Sequence, residues 1–489
     1  MLKIAEASLI FCVTAAVLAF GGTEPISFAV VEIVLLGAVL AVLIGRKDLE
    51  WAGSLKSAAV PAALTGLVIF QLVPLPDPLV RLLRPDNSIL NATLPGSEHH
   101  FFSSLSIAPY NTRMYLILLV CCAVTFFFAR RLGQARESRR RLVTWLVALG
   151  TFEALYGLVQ YLTGWQRIFG YVKKYNLEEA TGTYINRNHF AGFLEMVIPL
   201  GVALVLYEHA KLPRKVIRGQ NTRIKRVLGG RRLSRIGLWL LAATVMVAGL
   251  FFSLSRMGII SATASLAAMA AFSGFQRKAG LWVAAAIMAC GIILVLWMGA
   301  GPALGRFAMI TDEYTSVGES RWSLWKDTAR LLGWHPLLGS GLGTFPVAFT
   351  RVQSTFLGQF VNHAHNDYLE LASDLGIPAA ALFFGSTGAL LVRVARKATS
   401  SDVSFERAMA LGCLGSIAAM LLHSLTDFNL YIPANALVFS LILGLAASIP
   451  GADSGVLRRA LGDVRDRDTG NSRSDTREAD YGFHHGAVQ

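Results

Sequence analysis

Residues 26–45 read ISFAVVEIVLLGAVLAVLIG, twenty residues with a single charge, Glu32. At about 1.5 Å per residue such a run measures about 30 Å as a helix, the thickness of the hydrocarbon layer of a bilayer. Comparable runs recur outward from it in both directions, near 5–22, 57–75, 113–130, 141–161, 189–208, 236–253, 257–274, 279–299, 376–395, 407–423 and 432–449. The sequence therefore predicts an all-α, polytopic membrane protein with about 12 transmembrane helices. The first run lacks a small-residue cleavage site and is followed at once by the second, so it reads as a retained helix.

Composition agrees. The 489 residues are 54% hydrophobic and 16% charged, with mean hydropathy +0.51, more apolar surface than a water-soluble core of ordinary proportions hides. The net charge of +14 and pI near 9.8 would suggest nucleic acid in a soluble protein. Here the basic residues sit in short segments between apolar runs, so membrane lipid is the partner and nucleic acid is not. Cys12, Cys121, Cys122, Cys290 and Cys413 all fall in apolar stretches, where they act as small hydrophobes rather than as a disulfide or zinc framework.

Orientation follows from Lys and Arg, which resist translocation. Of the 45 in the chain, 32 lie in one alternating set of connections and 13 in the other. Both termini are then cytoplasmic, and the longest connection, about 300–375 between spans 9 and 10, is external. Residues 1–449 form the membrane domain. The tail 450–489, rich in Arg, Asp, Gly and Ser, reads as disordered.

Long external loops tend to carry function. In this one, Trp322, Trp325, Ala329 and Leu332 share a helical face opposite Lys326 and Arg330, which suits either a helix on the membrane interface or packing against the bundle. The stretch HPLLGSGLG, 335–343, reads as a turn; without a flanking strand and helix its glycines are not a nucleotide fingerprint.

Arginine outside runs against the charge bias. Arg187 lies in GTYINRNHFAGF (182–193), Arg256 in FSLSRMG (252–258), and Arg321 opens RWSLWKD (321–327). Three such residues at one face suggest a cationic pocket, since a guanidinium donates two parallel hydrogen bonds to a phosphate and stays charged at any pH. Snorkelling or an ion pair is the alternative for each singly. The second constellation is HAHNDYLELASDLG, 363–376. Asp367 and Glu370 have the form of a capping box, starting a helix there. His365 would then precede a helix N-terminus, whose positive end opposes protonation and favours a neutral imidazole able to act as a base. With no third ligand at a suitable spacing, His363 and His365 do not read as zinc ligands. In HSLTDFN, 423–429, His423 and Asp427 are placed to line the same cavity, or Asp427 to cap.

These motifs, in this order and sharpest over 180–375, resemble the O-antigen ligase and polymerase family of bacterial membrane glycosyltransferases. The resemblance implies a C-type glycosyltransferase-like fold with the periplasmic loop over the site, an undecaprenyl-diphosphate-linked glycan donor, a glycolipid or glycan acceptor, and no cofactor or metal. It further implies a bacterial inner-membrane location, that His365 is catalytic and that Arg256 and Arg321 hold the diphosphate; the residues themselves add Arg187, Asn186, His363, Asn366 and Asp367 as expected to line the substrate site. A polymerase using the same donor is the alternative within the family, and a secondary transporter the alternative outside it. Carriers usually show internal repeats and midplane charges, whereas these residues gather at the outer rim.

Overall fold

The computed structural model describes residues 2–44, 55–84, 101–212, 230–273, 319–354, 360–400 and 404–450. All but Pro450 lie in the compact unit Met1–Ile449; the tail expected to be disordered lies outside the described residues.

The described helices are α1 (Leu2–Leu18), α2 (Pro25–Ile44), α3 (Leu55–Leu72), α4 (Asp77–Leu83), α5 (Pro109–Leu132), α6 (Arg136–Thr163), α7 (Arg187–Ala210), α8 (Gly230–Phe252), α9 (Arg256–Phe272), α10 (Glu319–Trp334), α11 (Phe345–Phe349), α12 (Asp367–Leu375), α13 (Ile377–Ala398), α14 (Phe405–His423) and α15 (Pro433–Ser448). Eleven of the twelve apolar runs fall on these helices; the ninth, 279–299, lies outside the described residues. Seven are long and apolar enough to cross a membrane: α2, α5, α6, α7, α13, α14 and the Arg232–Phe252 part of α8. The chain is an all-α polytopic membrane protein.

α7 is the hub. Its spanning stretch is fully buried, packed against α14, α8, α9 and α6, which is why it is apolar on every side rather than along a stripe. α2 and α13, by contrast, bury only 28% and 22% of theirs among the described residues. α14 approaches α7 closely enough for Ser416 Oγ to donate to the Met196 carbonyl at 2.5 Å.

At one end of the bundle the turn 335–344 is tied down by a buried polar knot. Gly343 N donates to Asp374 Oδ2 at 2.6 Å and Gly341 N to the Asp374 carbonyl at 3.0 Å, while Leu342 N donates to Gln71 Oε1 at 3.2 Å. The amides of this glycine turn are thus taken by protein acceptors, and the turn is structural. Gly343 has φ +75°, and a Cβ there would stand 2.0 Å from the Tyr115 ring. Gly343→Ala should therefore cost at least about 1–2 kcal/mol from backbone handedness alone, before the clash. A lowered unfolding temperature in detergent checks it; an unchanged one would mean that the turn shifts to relieve both the positive φ and the approach to Tyr115.

α10 satisfies each of the two readings of its tryptophan face in part. Leu324, Asp327, Thr328 and Leu331 are its buried stripe, with Leu324 and Leu331 in a small core beside Phe345, Phe349 and Ala364. Trp322 and Ala329 are exposed, and the Lys326 ammonium lies 5.4 Å from the Trp322 ring centre. The face is therefore divided: Trp322 and Ala329 look outward, while Trp325 packs on that small core. The buried stripe itself escapes apolar periodicity because two of its positions, Asp327 and Thr328, are polar.

Candidate functional site

The starts of α7 and α9 lie side by side, and the start of α12 is bonded to the turn that follows α14. α7 is capped by Asn186, whose side chain accepts from Asn188 N at 2.8 Å. The loop before it is held from α6, where Glu153 accepts from Thr183 N and Oγ1, both at 2.8 Å. α9 is capped by Ser255, accepting from Gly258 N at 3.3 Å. Arg187 and Arg256 thus occupy the same place, the first helical residue after a cap. The two helices touch one turn further in, where a Cβ on Gly258 would come within 2.6 Å of Ala191 Cβ. Arg321 lies in the first turn of α10; one turn on, Trp325 Nε1 donates to the Ala364 carbonyl at 3.0 Å, so this helix holds the His363–His365 segment.

The α12 start departs from the predicted capping box by one residue. Asn366 is the cap, accepting from Leu369 N at 3.1 Å. Asp367 is fully buried, accepting from Ser424 Oγ at 2.7 Å, and Asn366 Nδ2 donates to the Leu425 carbonyl at 3.0 Å. Both side chains fasten α12 to the 424–432 turn. Glu370 reaches back past the cap: its carboxyl meets His363 Nδ1 at 2.6 Å and accepts from Ala364 N at 2.7 Å.

The centre of the cluster is Phe428. His363 stacks on it (3.9 Å between centroids, 12° between planes), and His189 and His365 approach edge-on at 4.8 and 4.9 Å. Asp427 lies between two imidazoles, with His365 Nδ1 at 3.4 Å from Oδ1 and His423 Nε2 at 3.7 Å from Oδ2. His423 Nδ1 in turn meets Glu195 Oε2 of α7 at 2.9 Å. His365 has φ +49°, a left-handed conformation uncommon outside glycine that redirects the chain into α12. Its side chain is 37% exposed although Nδ1 is buried, which leaves the Nε2 edge open.

A cavity of about 490 Å³ adjoins the cluster. Its lining includes Asn186, His189, His363, Phe428, Tyr184 and Tyr115. Of the residues singled out from sequence, Asn186 and His363 line it. His365 touches Phe428 without lining the cavity, and Arg187 follows the lining residue Asn186; Arg256 and Arg321 head α9 and α10, neither of which contributes to the lining, so the three arginines do not converge on this cavity. Arg187 Nη1 is paired with Glu179 Oε1 at 2.5 Å. His423 and Asp427 are buried beside one another, away from the cavity lining.

Burial sets the charges. It pushes Glu370 up to about 8 and His363 down to about 4, so near pH 7 the pair is neutral, the carboxyl O–H donating to Nδ1. Burial alone would also raise Asp427, but the rings of His365, His189 and His423 hold it below the usual carboxylate range. An anionic Asp427 beside His365 favours the tautomer with the proton on Nδ1. The Glu370 shift gives a stability prediction. Its raised carboxyl keeps a proton that the unfolded chain releases above about 4.5, so its contribution is complete below that pH and is lost as pH rises through about 8. Glu370→Gln retains the hydrogen bonds without the titration. Its unfolding temperature should decline less than that of the parent between pH 5 and 9, taken as about two units either side of neutrality; parallel decline would assign the titration elsewhere.

Residues 241–384 match the family model for O-antigen ligase. This stretch is an O-antigen ligase domain. It runs from within α8 into α13 and includes Arg256, Arg321, His363 and His365. A comparison with curated proteins finds no match. An O-antigen ligase domain among several apolar helices makes the chain a multi-pass inner-membrane protein of surface-polysaccharide assembly, a glycosyltransferase-like ligase acting on a lipid-linked glycan and an acceptor. Sequence reading did not single out Phe428, His189 or Glu195, and it named Glu370 only as a capping-box partner. Glu195 carried a signal, being the only charged residue between 190 and 207 of a spanning helix, where ionisable groups mark function by default.

Proposed function

We propose that this O-antigen ligase domain protein transfers a glycan from undecaprenyl diphosphate to an acceptor hydroxyl at the periplasmic face, with both termini cytoplasmic and without a metal. The observation that carries the reading is the His365–Asp427 pair, set against Phe428 beside a cavity large enough for sugar.

In the proposed step, His365 Nε2 takes the proton of the acceptor hydroxyl. The hydroxyl oxygen bonds to the anomeric carbon as the bond from that carbon to the phosphate oxygen breaks, and the electron pair leaves on the diphosphate with inversion. Asp427 holds the imidazole tautomer and stabilises the imidazolium that forms. Arg256 and Arg321 clamp the departing diphosphate, with Arg187 and Asn186 beside them and His363 in the wall, while Asn366 and Asp367 act from behind it by fastening α12 to the 424–432 turn. In support, Arg187 and Arg256 stand at the first position of their helices, where the helix dipole disfavours a cation and favours an anion. A diphosphate there would meet both the guanidinium and the helix end.

The test is the glycolipid profile of a deletion strain. Loss of glycan from its final anchor, with long chains accumulating on the carrier lipid, supports the ligase. A ladder collapsed to one repeat unit would make it a polymerase, and lost solute uptake with a normal profile would make it a carrier.

A further inference from the structure

The segment Thr163–Tyr175 does something the transfer reaction does not require. α6 carries an outward stripe, Phe152, Leu155, Val159 and Leu162, each 43–56% exposed, at the spacing of one helical face. The stripe does not end with the helix. Past the left-handed cap Gly164, the chain folds into a short hairpin, Arg167–Ile168 paired with Tyr171–Val172, and Trp165, Phe169, Tyr171, Val172 and Tyr175 on it are all exposed.

This hairpin is fastened to its helix. Tyr156 packs against Trp165 and Phe169 at 5.5 and 5.7 Å, Phe169 N donates to its hydroxyl at 2.8 Å, and Gln160 Nε2 donates to the Arg167 carbonyl at 2.8 Å. The aromatic rings are thus held outward. Arg167 and Lys174 are exposed on the same hairpin. At its inner edge Tyr171 meets Phe20 edge-on at 5.5 Å, and Phe20 lines the cavity.

We propose that this hairpin is a lipid-interface anchor that seats the cavity rim at the headgroup layer of the outer leaflet. Its occupant is phospholipid, for two reasons. The patch continues the lipid-facing stripe of a spanning helix without a break, and it joins amphipathic aromatics to cations, the pairing that suits an acyl boundary beneath phosphates. The proposal rests on the orientation and lipid-linked donor proposed above, and it adds that a donor reaches the cavity at a depth fixed by Tyr171 against Phe20.

The full chain in nanodiscs of phosphatidylethanolamine and phosphatidylglycerol, with a coumarin amino acid at position 169, tests the placement. Quenching by a nitroxide on the upper acyl chain, with protection from aqueous iodide, is expected. Quenching by iodide alone would overturn the anchor, and protection from both together with crosslinking between copies would replace lipid by a second copy. Tyr171→Ala tests the seating: KM for a long-chain polyprenyl diphosphate donor in vesicles should rise about tenfold with kcat retained, while a short-prenyl donor in detergent is used as before. Unchanged KM in vesicles would overturn the seating. If the parent protein transfers nothing from any donor, the transferase reading fails and the quenching result still decides the anchor.

Discussion

His365→Ala is expected to lower the rate of glycan transfer about 10³-fold, the range of a lost general base, while donor affinity in the same detergent-solubilised protein changes little. The separation follows from position. The imidazole carries little of the fold: Nδ1 lies 3.4 Å from Asp427, longer than a well-formed hydrogen bond, and the ring meets Phe428 by an edge. Removing it leaves His363 stacked and Glu370 bonded to Ala364 N. Asp427→Asn should lose on the order of 10²-fold or more, because an amide cannot stabilise an imidazolium or enforce its tautomer. Combining the two should cost hardly more than His365→Ala alone, since Asp427 acts through the ring. Measured as single-turnover transfer at saturating donor, full activity in His365→Ala would remove the assigned base, and additive losses would separate Asp427 from it.

How much of this was legible beforehand divides by kind of interaction. Spanning helices are written in runs of apolar residues, because lipid demands both length and closed backbone hydrogen bonding; hence eleven runs lie on described helices within a few residues. The motifs that flagged Arg187, Arg256, Arg321, His363 and His365 are local, and the O-antigen ligase match includes four of those five. What stayed hidden is long-range. Nothing near Asp427 announces that it will stand against His365, 62 positions earlier, or that Glu195 will meet His423 across 228. The capping box failed by one residue because Asn366 and Asp367 are both competent caps. Burial under the 424–432 turn, a tertiary fact, decides that Asn366 caps and Asp367 bonds Ser424.

The arginines should fail differently from the histidine. A guanidinium aimed at a departing diphosphate stabilises charge that grows as the sugar–phosphate bond breaks, so Arg256→Ala and Arg321→Ala should each lower kcat by about 10²–10³, as for other preorganised oxyanion donors. Part of the loss should also appear in donor binding, because the ground-state diphosphate is already charged. Arg→Lys at either position should restore binding more than rate: an ammonium supplies the charge but not the two parallel bonds of the planar fork. Arg187 is a useful contrast. It already pairs with Glu179 at 2.5 Å, so Arg187→Ala leaves a buried carboxylate without that partner and should lower the unfolding temperature along with the rate. Steady-state kinetics on a diphosphate donor, with melting curves for all three variants, distinguishes these cases. If Arg256→Ala and Arg321→Ala lose only thermal stability and retain kcat, the diphosphate is held elsewhere, and the guanidinium groups at the heads of α9 and α10 are there for the fold.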